Sequence, residues 1–285
     1  MNTKKSSAFG QFFKKFKYHR LAVAGLVFLC AEILLITFLP MILELDPYSV
    51  TSVFKAVPSS EHILGTDTTG RDLFARLIYG GRTTLFVGFT ATACSVAIGL
   101  PLGLIAGYYR GAAETVIMRL ADIFQSFPSI VLVLVMVAIF GNSLAILIFL
   151  IGVLSWPQTA RLIHARVLTV RKMEYIEAGA VGGENNFSIL LRHVLPNSIA
   201  PLWMNIAFQV SSAMLTESAL SFLGAGVQPP TASWGNIIHE AVNVVVLYTT
   251  PWIWIPSGIF LILTVVSINF IGEGVRDALD PKMKR

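Results

Sequence analysis

Apolar positions in this chain fall into long unbroken runs, and polar residues gather between them. The first run covers residues 21–40 and is closed by Pro40; the second covers 83–107, with Pro101 and the glycines 99, 103 and 107 towards its end. Runs of ~18–20 apolar residues are what a helix needs to cross a hydrocarbon layer ~30 Å thick. Residues 129–140 are apolar for only 12 positions, about 18 Å of helix. A third span must therefore borrow length from the preceding TVIMRLADIFQSFP, with Arg119 and Asp122 near the membrane surface and a kink at Pro128. Gly141-Asn142 reads as a turn. Further spans follow at 143–160, at 198–223 and, after a Pro/Gly-rich stretch 224–251, at 252–272. The pattern predicts an all-α polytopic membrane protein with six transmembrane helices.

Two carboxylates fall inside these runs. Glu32 costs roughly 3 kcal/mol at a membrane centre, but the Leu, Ile, Val and Phe residues around it return roughly 0.3–0.6 kcal/mol each, so the first span still inserts. Glu217 lies in the fifth span, where an intramembrane carboxylate either lines a translocation path or bonds to a neighbouring helix. Both readings stay open.

Six spans place both termini on one side, and the positive-inside rule says which. Lys plus Arg number 6 in the N-terminal tail, 2 in residues 108–127, 5 in 161–196 and 4 in the C-terminal tail. The other face has 4 (Lys55, Arg71, Arg76, Arg82) in residues 41–82 and none in 224–251. Seventeen against four puts both termini and residues 161–196 in the cytoplasm of a cell bounded by this membrane. The run from Leu21 to Leu39 is long for a signal peptide and ends without a small-x-small cleavage pattern, so it is expected to be retained.

Composition agrees. Apolar residues make up 55% and charged residues 13%, against roughly 25% charged in soluble domains. The net charge of +5 is then a matter of membrane orientation and not of nucleic acid. Cys30 and Cys94 sit inside apolar runs, and the histidines 19, 62, 164, 193 and 239 share no metal-ligand spacing. No G-x-x-x-x-G-K-[ST] loop is present and no acid, base or nucleophile set converges, so neither ATP binding nor catalysis is expected of this chain. Asp67, Arg71 and Asp72 either engage an external partner or pair among themselves. Trp156, Trp234, Trp252 and Trp254 fit an interfacial aromatic belt.

Residues 161–196 are the chemically unusual stretch. RLIHARVLTVRK continues the fourth span as a basic amphipathic helix, and MEYIEAGA offers a short helical segment. Gly182-Gly183 permits a sharp turn because glycine tolerates positive φ; Asn185 and Asn186 suit a turn or a helix start; and Leu195-Pro196 marks the return to the membrane. A short, rigid, polar lever of this kind is what a membrane bundle needs if a soluble motor is to move it between two packings.

The spacing Glu177-Ala178-Gly179, Gly183, Leu195-Pro196 resembles the EAA motif, the loop by which membrane subunits of ABC importers grip their ATPases. Together with HILGTDTTGRDLFARLIYGGRTTL (62–85), SWPQTARLIHARVL (155–168), ESALSFLGAGVQPPTASWGNII (217–238) and GEGVRDALDP (272–281), the chain resembles the peptide/nickel branch of binding-protein-dependent ABC permeases, specifically the C-type subunit of dipeptide and oligopeptide importers. The resemblance implies the type I ABC importer permease fold, with a basic tail at 1–20, a first helix and external segment at 21–81, a permease core at 82–272 and a tail at 273–285. It implies a paralogous permease subunit, two ABC ATPase subunits that hold the ATP, an extracytoplasmic solute-binding protein and a multi-pass place in the plasma membrane, with no cofactor in this chain. It implies import of peptides by alternating access, with nickel or a metal chelate as the alternative; an ion-coupled secondary transporter is the rival class. At residue level it places Glu174, Tyr175, Glu177, Ala178, Gly179, Gly182, Gly183 and Glu184 at the ATPase contact. Gly179 stands where the motif has its second alanine, at about 1 kcal/mol of helix propensity, so a shorter or looser coupling helix is expected.

Overall fold

The structure, a computed structural model, describes residues 14–279, apart from the side chains of Glu177 and Ala180. Lys4 and Lys5 of the basic tail and the last six residues of the C-terminal tail lie outside the described residues. Twelve helices carry the argument, and among the described residues there are no strands, only two isolated bridges in 43–72. They are α1 (Arg20–Ile42), α2 (Leu73–Tyr109), α3 (Gly111–Gln125), α4 (Ser129–Phe140), α5 (Leu144–Val170), α6 (Glu174–Val181), α7 (Asn186–Ile189), α8 (Leu195–Ser198), α9 (Ala200–Phe222), α10 (Trp234–His239), α11 (Val244–Thr249) and α12 (Ile255–Leu279).

α1, α2, α5 and α12 are long and apolar enough to cross a membrane, and α3 with α4 would make a fifth crossing. The fifth expected span, 198–223, corresponds to α9, whose 23 residues give it the length, but it falls short in apolarity. Gln209, Ser211, Glu217, Ser218 and Ser221 are all buried on it. A helix whose polar side chains face the bundle need not be apolar all round.

The second helix starts ten residues earlier than the apolar run suggests. Asp72 caps it, accepting from the Ala75 N–H at 2.8 Å, and its 37 residues make about 55 Å of helix, more than a bilayer needs. Its first turns stand above the membrane portion and carry Arg76. The expected kink at Pro128 is a sharper break: α3 and α4 are bent by 85°. Pro128 has no N–H to continue α3, and a following proline forces Phe127 away from helical geometry.

α2 and α5 run side by side as the backbone of the bundle, and small residues let them touch. A Cβ at Gly99 would lie 2.6 Å from the Thr159 Cβ, at Gly103 2.5 Å from the Ala160 carbonyl and at Gly107 2.7 Å from the Val167 Cβ. Glycines four apart share one helix face, so their backbone packs directly against α5. α3 lies against the same stretch of α5, tied by Arg161–Asp122 at 2.5 Å and His164–Glu114 at 2.8 Å.

At one end of the bundle, residues 43–72 and 224–250 build a cap around Asp67. Thr69 donates to Asp67 from its N–H and its hydroxyl, Arg71 from its N–H and its Nε, and Arg76 Nη1 lies 2.9 Å away. Burial opposes charge on Asp67, yet the Arg71 N–H, the Arg76 guanidinium and Thr69 together hold its carboxyl below the ordinary range. Asp67 and Arg71 thus pair with each other, whereas Asp72 pairs with His62 at 2.8 Å. Nearby Glu240, accepting from the Thr68 N–H at 3.1 Å, is pushed up by burial and by the Asp67 charge.

Two tryptophans leave the expected aromatic belt. Trp234 is buried between α2 and α9, donating from Nε1 to the Leu77 carbonyl at 3.0 Å, and Trp156 is buried edge-on to Phe124. Glu32 is also inside, where Thr264 Oγ1 of α12 lies 2.7 Å from Oε1.

Candidate functional site

At the opposite end of the bundle, α5 runs on past its membrane portion and hands the chain to a helical hairpin, residues 174–198. Arg171, at the close of α5, donates from Nη1 to the Tyr108 carbonyl at 3.0 Å, satisfying an orphan carbonyl at the end of α2 with a cation, as helix C-termini favour. α6 then forms the first arm. Its end is a Schellman motif: Gly183 adopts φ +80° and the Glu184 N–H reaches back to the Gly179 carbonyl at 3.1 Å. Gly183 is the residue that permits this, since a Cβ is strained there whatever the space.

Asn185 opens the second arm, accepting from the Phe187 N–H at 3.1 Å. The helical path 186–198 widens into a π turn at Leu190–Val194, just before Pro196, whose missing N–H and bulky ring cannot fit a regular turn. Glu184 joins the arms, accepting from the Ser188 hydroxyl at 2.6 Å and lying 3.0 Å from His193 Nε2. The Ser188 hydroxyl above all holds its carboxyl below the usual range; burial opposes it, and His193 adds a lesser lowering.

The hairpin is bolted to the bundle in two ways. Tyr108 on α2 donates to Asn186 Oδ1 at 3.1 Å. Ile176 is buried in one apolar cluster with Leu104, Ile163, Val167, Ile189 and Val194, so α6 cannot shift without moving the ends of α2 and α5. The other face is bare. Glu174, Tyr175, Ala178, Gly182 and Gly183 are exposed, Gly179 is half-buried, and Val181 is 90% exposed. Glu174, Ala178 and Val181 recur at the spacing of one helical face.

Of the predicted contact residues, Glu184 differs from the rest: it closes the hairpin from within. The Glu177 side chain lies outside what the structure describes, although its backbone is in α6. Phe187 and Leu191 on the second arm, 61% and 43% exposed, extend the bare face. Sequence reading passes over them because an apolar residue in a helix looks like core.

Glu217 lies at the cap end of α9, wholly buried. It accepts from Thr84 at 3.2 Å, Ser218 at 3.3 Å and Ser221 at 2.7 Å. Thr84 in turn accepts from the Trp234 N–H and Ser221 from the Val227 N–H, so this carboxylate joins α2, α9 and the segment 224–239.

The profile described as binding-protein-dependent transport system inner membrane component matches residues 99–285, and that described as N-terminal TM domain of oligopeptide transport permease C matches residues 7–58. A dipeptide transport system permease of Alkalihalophilus pseudofirmus is 39% identical, over 95% of this chain and 89% of that protein. A glutathione transport system permease of Pectobacterium atrosepticum is 37% identical over 96% and 91%, and an oligopeptide transport system permease of Bacillus subtilis 34% over 95% and 88%. Among solved structures, an inward-facing form of the MetNI methionine ABC transporter matches with a TM-score of 0.59 at 21% identity, over 73% of this chain and 98% of that one, which supports the permease fold. A hairpin bolted to a bundle of crossing helices, on a chain matched along nearly its whole length, makes this protein a member of the family of inner membrane components of binding-protein-dependent transport systems.

Proposed function

We propose that this chain is the peptide-translocating permease subunit of an ABC importer, pairing with a paralogous permease subunit. Two ATPase subunits drive it through the face of Glu174, Glu177, Ala178, Val181 and Phe187, and a solute-binding protein delivers cargo at the cap end. The observation that carries this reading is the hairpin: one face is fixed into the ends of α2 and α5, and the other is bare and partly apolar. A push on the bare face is passed to the two helices that form the backbone of the bundle, which is how nucleotide-driven closure would bias the inward and outward packings. The lysine and arginine bias supports a cytoplasmic hairpin and cytoplasmic termini. Two of the permeases named above are dipeptide and oligopeptide permeases by name, which favours peptide cargo over nickel. Work is done at the partners' nucleotide sites, and this chain moves substrate without transforming it.

The test is a reconstituted complex of both permease subunits, the ATPases and the binding protein in proteoliposomes. Glu177→Lys and Val181→Asp should abolish ATP-driven uptake while each variant still inserts and melts at the wild-type temperature. Val181 is exposed, and a surface change away from packed features moves stability by only about 0.5 kcal/mol. Full uptake by both variants would remove the hairpin face from the coupling contact.

A further inference from the structure

Near the middle of the bundle, a cavity of about 70 Å³ opens between α4, α5 and α9, lined by Ser129, Ser155, Gln158, Gln209, Ser212 and Thr216 together with four apolar residues. Gln209, Ser212 and Thr216 share one face of α9, and Ser155 and Gln158 one face of α5, by helical spacing. No lining residue carries a charge. Gln158 and Ser212 stand exposed at the mouth, while Gln209 is 5% exposed and forms the floor.

The hydrogen-bond ledger of this wall is lopsided. The Ser155 hydroxyl donates to the Ile151 carbonyl at 2.7 Å, the Thr216 hydroxyl to the Ser212 carbonyl at 2.8 Å, and Gln209 Nε2 to Thr159 Oγ1 at 2.7 Å. The two hydroxyl protons and one of the two Gln209 amide protons are thus committed. Gln209 Oε1 is buried with no partner at all. A buried acceptor left unsatisfied costs ~1–3 kcal/mol, and neither Ser155 nor Thr216 has a hydroxyl proton left to give it.

Resting on the peptide reading, we propose that this cavity receives a main-chain N–H of the translocating peptide, with Gln209 Oε1 as its buried acceptor. The space admits one peptide unit and not a whole peptide, so the contact reads the feature all peptides share. An uncharged wall suits a path that must release what it binds: a fixed carboxylate or ammonium would retain cargo of one charge, whereas a neutral acceptor binds every peptide equally and weakly. Glu217, one residue from Thr216, does not line the cavity, and its oxygens are already engaged by Thr84, Ser218 and Ser221.

The experiment compares wild-type and Gln209→Met complexes, reconstituted with both permeases, ATPases and binding protein, importing radiolabelled trialanine or trialanine methylated at both peptide nitrogens. Delivery by the binding protein is common to both complexes and cancels in the comparison. The expected result is a trialanine kcat/KM lowered about fivefold in Gln209→Met, the value of one hydrogen bond of ~1 kcal/mol. N-methylated trialanine, which has no such N–H to give, should be imported alike by both. Equal losses for the two peptides, or none for either, would overturn the assignment. Should Gln209→Met not assemble, or the methylated peptide not be delivered, Ser212→Cys decides: trialanine should slow its labelling by a methanethiosulfonate reagent during turnover, and labelling indifferent to trialanine overturns the proposal. A wild-type complex that imports no trialanine sinks the peptide reading and this inference with it; import with indifferent labelling sinks this inference alone.

Discussion

At the cap end, Asp67 sits wholly buried among donors from Thr69, Arg71 and Arg76, and Glu217 among three hydroxyls. At the hairpin end, Ile176, Ile189, Leu190 and Val194 pack into one apolar cluster with α2 and α5, and one tyrosine–asparagine bond adds to them, while Val181 stands almost free. Buried polar clusters have few alternative arrangements, because each lost partner leaves a desolvated charge. A hairpin held by apolar packing on one side leaves its other face open, and a displacement of it carries along the helix ends it packs on. The two ends differ in the way a mount differs from a lever: the cap holds helix ends in a buried polar cluster, and the hairpin is the part that, on the function proposed above, moves them.

The largest effect that could break this comparison is Asp67→Ala. It leaves Arg71 and Arg76 beside an empty acceptor, with Arg76 1% exposed, and uncompensated buried charge typically costs ~3–5 kcal/mol. The midpoint of thermal unfolding in detergent should fall far more than for Val181→Asp. Equal midpoints for the two variants would mean the cap is no more rigid than the hairpin.

Next in size is Gly103→Val. Its Cβ would meet the Ala160 carbonyl at 2.5 Å, a backbone atom that cannot rotate away. Forced separation of packed elements costs ~1–3 kcal/mol. Because α2 and α5 together connect the two ends, uptake should fall by more than the loss of folded complex explains, read as transport per assembled complex. Transport that merely tracks the amount of folded protein would show that this seam is structural and carries no motion.

The hairpin was the most legible part of the chain. Its helix, its positive-φ glycine and its asparagine cap each follow from local backbone chemistry, which adjacent residues decide. The cap was not legible, for an equally physical reason. Residues 73–82, with Gly80, Gly81 and Arg82, look like the end of a loop, and only the Asp72 cap and the tertiary pairing of Arg76 with Asp67 make them helix. Trp234 and Trp156 looked interfacial because tryptophan usually is, whereas a long-range acceptor for the Trp234 indole takes it inside. α9 shows the same limit: its polar residues lower its apolarity, and only packing reveals that they face inward. Phe187 and Gln209 gave no signal, since exposure and an unpaired oxygen are properties of the folded chain.

The smallest effect concerns Gly179, which stands where the motif this hairpin resembles has its second alanine. Gly179 is helical and a Cβ there would sit 3.4 Å from Glu184 Oε2 and 3.9 Å from the Ile189 Cδ1, ordinary contact with a side chain able to yield. Alanine is favoured over glycine by ~0.8–1 kcal/mol in a helix interior, but Gly179 lies in the last turn of α6, where only part of that is realised. Gly179→Ala should therefore slow amide hydrogen exchange in residues 174–184 by a few-fold, with the global unfolding midpoint unchanged. If the glycine gives the lever useful slack, uptake in the same variant should drop slightly while its ATPase rate holds, loosening the link between the two. Faster exchange would instead mean that the Glu184 carboxylate cannot move aside, and that the contact closing the hairpin is stiffer than the hairpin's own backbone.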